Sequence, residues 1–463
     1  MAASTSSAMQ PFLIALGNSP ALYLLTLLLC AVAVIGLAWP TITAIYDPWV
    51  LQLIQTVFAS AAVVFMALTG VIATSLMLYH IAAIGSFLLF GGLVYKEMTR
   101  QCFVARRVRP RALNSMRGLF LLLLVVSQLA AWALAGVPLL LESRLNAFSS
   151  GGGIGVLSRL LSFLSFATVF LTVLRVGIAT EKRLSHTDIF VLIFTVLASV
   201  ANASKTNIVL TLLLILTSHW IFQHIIDGYV GLQVSRKKLI ALGIVLVMLM
   251  MVPVAMELSR EPESTVSGPV EAIVLRLIFS GDGYMWLYGD DYLSTVTVSS
   301  PTALMFTDLL GVTRLVPWEQ LPVHPGLQIF QHLFPDSEAI RGPNLRVDAF
   351  GLLYGSMVLG VGISASLGGL FGLLRGWFFR VRSAVVFLPA AFLFFQAPTF
   401  LVDPMLGVTA LVNAAFAAVI VVLVQALVGK DPFTSGVRRR MRRRRPARPV
   451  AARPSPLTPS TAP

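Results

Sequence analysis

The feature that most restricts this chain is a succession of apolar runs, most of them close to the roughly 20 residues that a helix needs to cross a bilayer. They are Ala21–Trp39, Val50–Leu68, Ile72–Tyr95, Leu119–Leu141, Leu160–Ile178, Ile189–Ala201, Ile208–Ile226, Leu239–Met256, Phe350–Leu374, Ala384–Val402 and Met405–Val428. Hydrocarbon offers no water to unpaired backbone amides, and the alternation of a membrane barrel is missing, so each run is expected to be helical. The expected fold class is an all-α polytopic membrane protein of about eleven transmembrane helices. A hydrophobic fraction of 57% against 12% charged residues agrees with a chain dissolved in lipid.

Orientation follows from the basic residues of the short loops. The segment 96–117 carries Lys96, Arg100, Arg106, Arg107, Arg109, Arg111 and Arg117, and is assigned to the cytoplasm. Counting spans from there puts Lys182 and Arg183, Arg236 to Lys238, Arg375 to Arg382 and the C-terminal tail on the same side. The net charge of +14 is thereby explained by topology, and nucleic acid is not an expected partner. Cys30 and Cys102 fall in an apolar run and a basic loop, which supports neither a disulfide framework nor a cysteine metal site. The first twenty residues lack a basic n-region, so the first run is expected to be a retained span and not a signal peptide.

Four regions result: residues 1–256 with helices one to eight, a long extracytoplasmic loop over 257–349, residues 350–429 with the last three spans, and a basic tail over 430–463. The loop holds twelve acidic residues against five arginines. The tail turns from arginines to Pro, Ser, Thr and Ala, a composition expected to stay disordered near anionic lipid.

Candidate chemistry concentrates on the outer side. Ile189–Ala201 covers only about 20 Å at 1.5 Å per residue and is followed by Asn202-Ala203-Ser204-Lys205-Thr206-Asn207. A helix starting there presents free amides beside Lys205, either an anion site or an ordinary polar turn with a snorkelling lysine. Arg175, near a span end, either faces a polar cavity or snorkels. In the outer loop, Arg276 lies in an apolar stretch ahead of Asp282, Asp290 and Asp291, suited to phosphate or to pairing with a carboxylate. His324 and His332 are candidate bases, and their spacing does not suggest a metal. The re-entry Arg341-Gly342-Pro343-Asn344-Leu345-Arg346-Val347-Asp348-Ala349-Phe350-Gly351 brings two arginines and a carboxylate to the bilayer surface. No nucleotide-binding loop, dinucleotide fingerprint or nucleophile elbow is present.

With Ser204-Lys205-Thr206, the long outer loop, and Pro343, Asp348, Phe350-Gly351 and Gly355 at the re-entry, the chain resembles the bacterial repeat-unit polymerases of O-antigen and exopolysaccharide synthesis, the Wzy-type glycosyltransferases. The resemblance implies a membrane glycosyltransferase C-type fold in the bacterial inner membrane. It also implies metal-independent transfer, without a cofactor, between undecaprenyl-diphosphate-linked oligosaccharides, with membrane lipids and a chain-length regulator as partners. On that basis Lys205, Arg276, Arg341 and Arg346 would hold the donor pyrophosphate, and His324 or Asp348 would deprotonate the acceptor hydroxyl. A lipid-linked oligosaccharide flippase or other transporter, an O-antigen ligase and a non-enzymatic scaffold are the alternative readings.

Overall fold

A computed structural model describes residues 9–100, 103–141, 154–179, 184–231, 284–289, 296–317, 320–333 and 342–439, with a few isolated positions besides. In chain order the helices are α1 (Met9–Asn18), α2 (Pro20–Ala38), α3 (Pro48–Leu68), α4 (Thr74–Arg100), α5 (Pro110–Ala135), α6 (Ile154–Ile178), α7 (His186–Ala201) and α8 (Lys205–Ile225). After a π-helical turn at Met285–Gly289 come α9 (Pro301–Met305), α10 (Thr307–Val312), α11 (Pro325–Leu333), α12 (Val347–Leu352), α13 (Met357–Phe378), α14 (Ala384–Gln396), α15 (Thr399–Val402) and α16 (Pro404–Val428). Among the described residues nine helices are long and apolar enough to cross a membrane, and α7 is a shorter apolar helix. The chain is a multi-pass membrane protein. The expected run Leu239–Met256 lies almost wholly outside the described residues.

Large apolar side chains on α2, such as Leu24, Leu28 and Val32, are exposed in the absence of lipid. In hydrocarbon that is the surface a spanning helix needs. Lipid supplies no hydrophobic drive for helices to associate, so the bundle depends on close backbone packing. Helix α13 carries Gly360, Ser364, Gly368, Gly372 and Gly376 at four-residue spacing, one stripe on one face, and this stripe lies on α4. A Cβ at Gly368 would stand 2.2 Å from the Phe87 carbonyl oxygen, and one at Gly372 would stand 2.3 Å from that of Gly91. The two backbones touch, and only glycine permits it.

Three departures from the sequence expectation have physical causes. The span expected from Phe350 begins at Met357, because Phe350 belongs to the short buried α12 and the chain turns at Gly355, whose φ is +78°. Glycine adopts that conformation without the clash that a Cβ would bring. The run Ala384–Val402 is broken into α14 and α15 at Ala397-Pro398. Finally, an all-helical reading omits a two-stranded antiparallel ribbon, β1 (Phe103–Val108) with β2 (Phe433–Arg439). Regular structure among the described residues therefore continues to Arg439, past Lys430 where the tail was expected to begin.

The ribbon marks one end of the bundle, and buried arginines gather there. Arg375 pairs with Asp47 and lies over the Phe394 ring, 4.2 Å from its centroid. Arg117 and Arg175 both pair with Asp188, so the charge of Arg175 is held by a carboxylate. Arg106 donates to the Val381 carbonyl and covers the Phe387 ring. At the opposite end the loop helices close over a separate apolar cluster that includes Phe12, Tyr23, Phe65, Leu304, Ile329 and Phe350.

The glycine stripe gives a test. Gly368→Leu is expected to destabilise the detergent-solubilised protein by about 1–3 kcal/mol or more, as overpacking does. Gly362→Ala, on the same helix with open space around it, is expected to be neutral or slightly stabilising. Equal melting temperatures for Gly368→Leu and the parent would show that the two helices do not meet at this point.

Candidate functional site

Directly below the loop-end cluster lies a polar core. Helix α3 contributes Thr56 and Ser60, one turn apart on one face. Helix α4 contributes Tyr79 and His80 near its first turns, and α12 contributes Asp348, with Arg346 at its N-cap. Tyr284, just before the π-helical turn, and Tyr288 within it complete the group. All eight carry polar groups, yet Asp348 is 0% exposed, His80 1%, Ser60 6% and Arg346 7%.

The hydrogen bonds form a continuous chain. Ser60 Oγ lies 2.9 Å from His80 Nε2, and His80 Nδ1 lies 2.7 Å from Asp348 Oδ2. The Tyr284 hydroxyl donates to Asp348 Oδ1 at 2.6 Å, and the Tyr288 hydroxyl donates to Oδ2 at 3.1 Å. Tyr79 donates to the Asp348 backbone carbonyl at 2.6 Å. It reaches that carbonyl through the gap left by Gly351 and Gly360, where added Cβ atoms would meet its hydroxyl at 2.8 and 2.2 Å. Arg346 donates to Thr56 Oγ1 at 3.0 Å, and the Tyr284 ring stands edge-on to His80.

Burial on its own raises the Asp348 carboxyl. The charge and hydrogen bond of His80, the Tyr284 hydrogen bond and the Arg346 charge outweigh it and hold the group below its ordinary 3.8. The same burial, reinforced by the Asp348 charge, pushes the phenols of Tyr284 and Tyr288 well above 10. Both phenols thus stay protonated and remain donors throughout the physiological range.

Four aspartates of the described chain are fully buried, and the other three have an evident structural duty. Asp47, Asp188 and Asp403 each accept backbone N–H groups at the start of a helix, at Trp49, Ser185, and Met405 with Leu406 respectively. The Asp348 side chain caps nothing, and its partners are an imidazole and two phenols. That distinction makes this cluster the candidate site.

The sequence-predicted residues fall unevenly around it. Arg346 and Asp348, at the start of α12, both lie at this cluster. His324 is elsewhere: its Nε2 donates to Asp403 Oδ2 at 3.1 Å while Nδ1 accepts from the Gly326 amide at 3.0 Å. Both ring nitrogens are engaged, and in this arrangement His324 links the loop to α16. Lys205 opens α8 directly after the N-cap Ser204. Among the described side chains of that turn, Asn202 contacts Gln128 and Trp132 on α5, and the Lys205 side chain lies outside the described residues. Arg276 and Arg341 lie outside the described residues, as do Asp282, Asp290 and Asp291. His80, Ser60, Tyr79, Tyr284 and Tyr288 were not singled out from sequence. His80 carried a usable signal, being the one residue with an acid or base side chain inside the run Ile72–Tyr95, where such a group is costly.

Among the described residues, no group of three or more His, Cys, Asp or Glu side chains is placed to hold a metal ion. Compared with known proteins, the chain matches no family model, no curated protein and no solved structure.

The acid side of the stability curve tests the Asp348 assignment. A carboxyl held below its unfolded value contributes stability that is present in full above about pH 4 and is lost as pH falls through its folded value. Asp348→Asn is therefore expected to lower the melting temperature at pH 7 and to flatten its decline below pH 4. An unchanged decline in the variant would assign the acid sensitivity to other carboxylates.

Proposed function

We propose that this protein is a membrane glycosyltransferase that joins undecaprenyl-diphosphate-linked oligosaccharide repeat units into O-antigen or exopolysaccharide, at the periplasmic face of a bacterial inner membrane. The observation that carries this reading is the meeting of Arg346 with the Asp348–His80 pair at one end of the bundle, the end to which the acidic loop belongs. Transfer from a lipid diphosphate needs no nucleotide, since the energy is stored in the donor. It needs a cation to stabilise the departing diphosphate and a group to receive the acceptor's proton. Arg346 supplies the first and the Asp348–His80 pair the second. Basic residues of the loop outside the described residues, Arg276 and Arg341, are further candidates for the diphosphate, and a chain-length regulator is a candidate partner.

A transporter is the second reading, favoured by the unbroken buried chain from Ser60 through His80 to Asp348, which is of the kind that relays protons. Size separation of lipid-linked saccharides and surface polysaccharide in a deletion strain, with and without a plasmid copy, distinguishes the readings. A polymerase leaves single repeat units on the outer leaflet and no ladder. Units trapped on the cytoplasmic leaflet would mean a flippase, and polymer left on the carrier lipid would mean a ligase. Arg346→Ala and Arg346→Lys, both confirmed in the membrane by immunoblot, are expected to lose the ladder or shorten it sharply. Normal chain lengths in Arg346→Ala would remove Arg346 from the site.

A further inference from the structure

Three groups compete for the role of proton acceptor, and their surroundings separate them. The Nδ1 of His324 accepts from the Gly326 backbone amide, a donor fixed by the chain, whereas the Nε2 of His80 faces a side-chain hydroxyl that can rotate away. Asp348 already accepts three side-chain hydrogen bonds, from His80, Tyr284 and Tyr288, which occupy both of its oxygens. A carboxylate so satisfied is a poor acceptor of a further proton. His80 differs. An ionised carboxylate can only accept, so the proton between Asp348 and His80 belongs to Nδ1, and in the base form of the ring the lone pair is the one on Nε2. The atom opposite that lone pair, at 2.9 Å, is the hydroxyl of Ser60.

We propose that His80 is the catalytic base of this site, that Asp348 positions it, and that the Ser60 hydroxyl occupies the place taken by the acceptor sugar's hydroxyl. The inference rests on the polymerase reading and names the base within it. In the reaction the acceptor oxygen forms its bond to the anomeric carbon of the donor unit. The bond from that carbon to the diphosphate oxygen breaks, and its electron pair leaves with the undecaprenyl diphosphate beside Arg346. The acceptor's proton passes to His80 Nε2, and the imidazolium is stabilised by Asp348, which stays ionised. Tyr284 and Tyr288 keep the carboxylate oriented, and the Tyr79 bond fixes the backbone of α12 against α4. The same alignment of hydroxyl, imidazole and carboxylate serves serine nucleophiles in other proteins. Here a rotation of Ser60 clears the position for an incoming hydroxyl, and no covalent intermediate is required.

The experiment uses the full-length protein in proteoliposomes with lipid-linked repeat units, after the wild-type gene has restored the ladder in the deletion strain. His80→Asn keeps a donor toward Asp348 but lacks the lone pair at Nε2, and is expected to reduce kcat on the order of 10²–10⁴-fold. Asp348→Asn is expected to reduce kcat by a similar factor with KM for the lipid-linked unit unchanged, which distinguishes misorientation of the base from loss of the binding site. Ser60→Ala is expected to retain most of kcat and to lower KM, because the resident hydroxyl no longer competes. Near-normal kcat in His80→Asn would overturn the proposal while leaving the polymerase reading intact. A 100-fold fall in kcat for Ser60→Ala, with the variant monodisperse by gel filtration, would also overturn it and identify Ser60 as a nucleophile. Failure of the wild-type gene to restore the ladder would instead remove the polymerase reading itself.

Discussion

The arrangement depends first on the contact between α4 and α13. In lipid the burial of apolar side chains gains little, because the tails are as apolar as the side chains, and helices are held by dispersion contacts and hydrogen bonds at short range. The glycine stripe of α13 lets its backbone rest on the carbonyls of Phe87 and Gly91. This close approach has a consequence several turns away. Toward the loop end the same seam reaches Gly360, where the phenol of Tyr79 fits only because no Cβ is present, and there it binds the Asp348 carbonyl. His80 is the next residue on α4. Its position against the Asp348 carboxylate is thus set by helix packing before any polar contact is counted.

What the sequence made legible follows from this. Spans could be read because their signal is local, a run of apolar residues of sufficient length, and the candidate spans of the structure fall on the expected runs with shifts at their ends. Arg346 and Asp348 were also legible, since a segment with two arginines and a carboxylate at a re-entry is unusual in its own right. The partners of Asp348 were not. Thr56, Ser60, Tyr79, His80, Tyr284 and Tyr288 come from three separate parts of the chain, and nothing local in Ser60 or Tyr288 separates them from the serines and tyrosines that merely pack. His324 and His80 show the limit most clearly. Both histidines lie toward the loop end of the bundle, and His324 attracted attention because it lies in a polar loop. Only the tertiary environment reveals that one has its lone pair satisfied by a backbone amide and the other has it directed at a hydroxyl.

The ribbon was missed for a related reason. Phe103–Val108 and Phe433–Arg439 are short, rich in arginine and more than three hundred residues apart in sequence. In each, charge dominates the local signal, and a basic tail is normally solvated. Their pairing joins the end of the last span to the loop after α4, so that the helix carrying His80 is held at its far end as well. Of the arginines at that end, Arg375 pairs with Asp47, Arg117 with Asp188, and Arg106 with the Val381 carbonyl.

Energetics separate these two polar ends. Removing an ion from water costs several kcal/mol even after relaxation, and well-packed apolar replacements of buried ion pairs are often neutral or stabilising. Asp47 and Asp188 offset that cost in part by capping helices, a service an apolar residue cannot perform. Asp348 has no such return. Its carboxylate is held by an imidazole and two phenols, each of which must also be buried to reach it, and stability alone would be served as well by leucine and phenylalanine in the same space. Packing alone does not account for this many polar side chains around one carboxylate that caps no helix, and that is the ground on which the cluster is the candidate site.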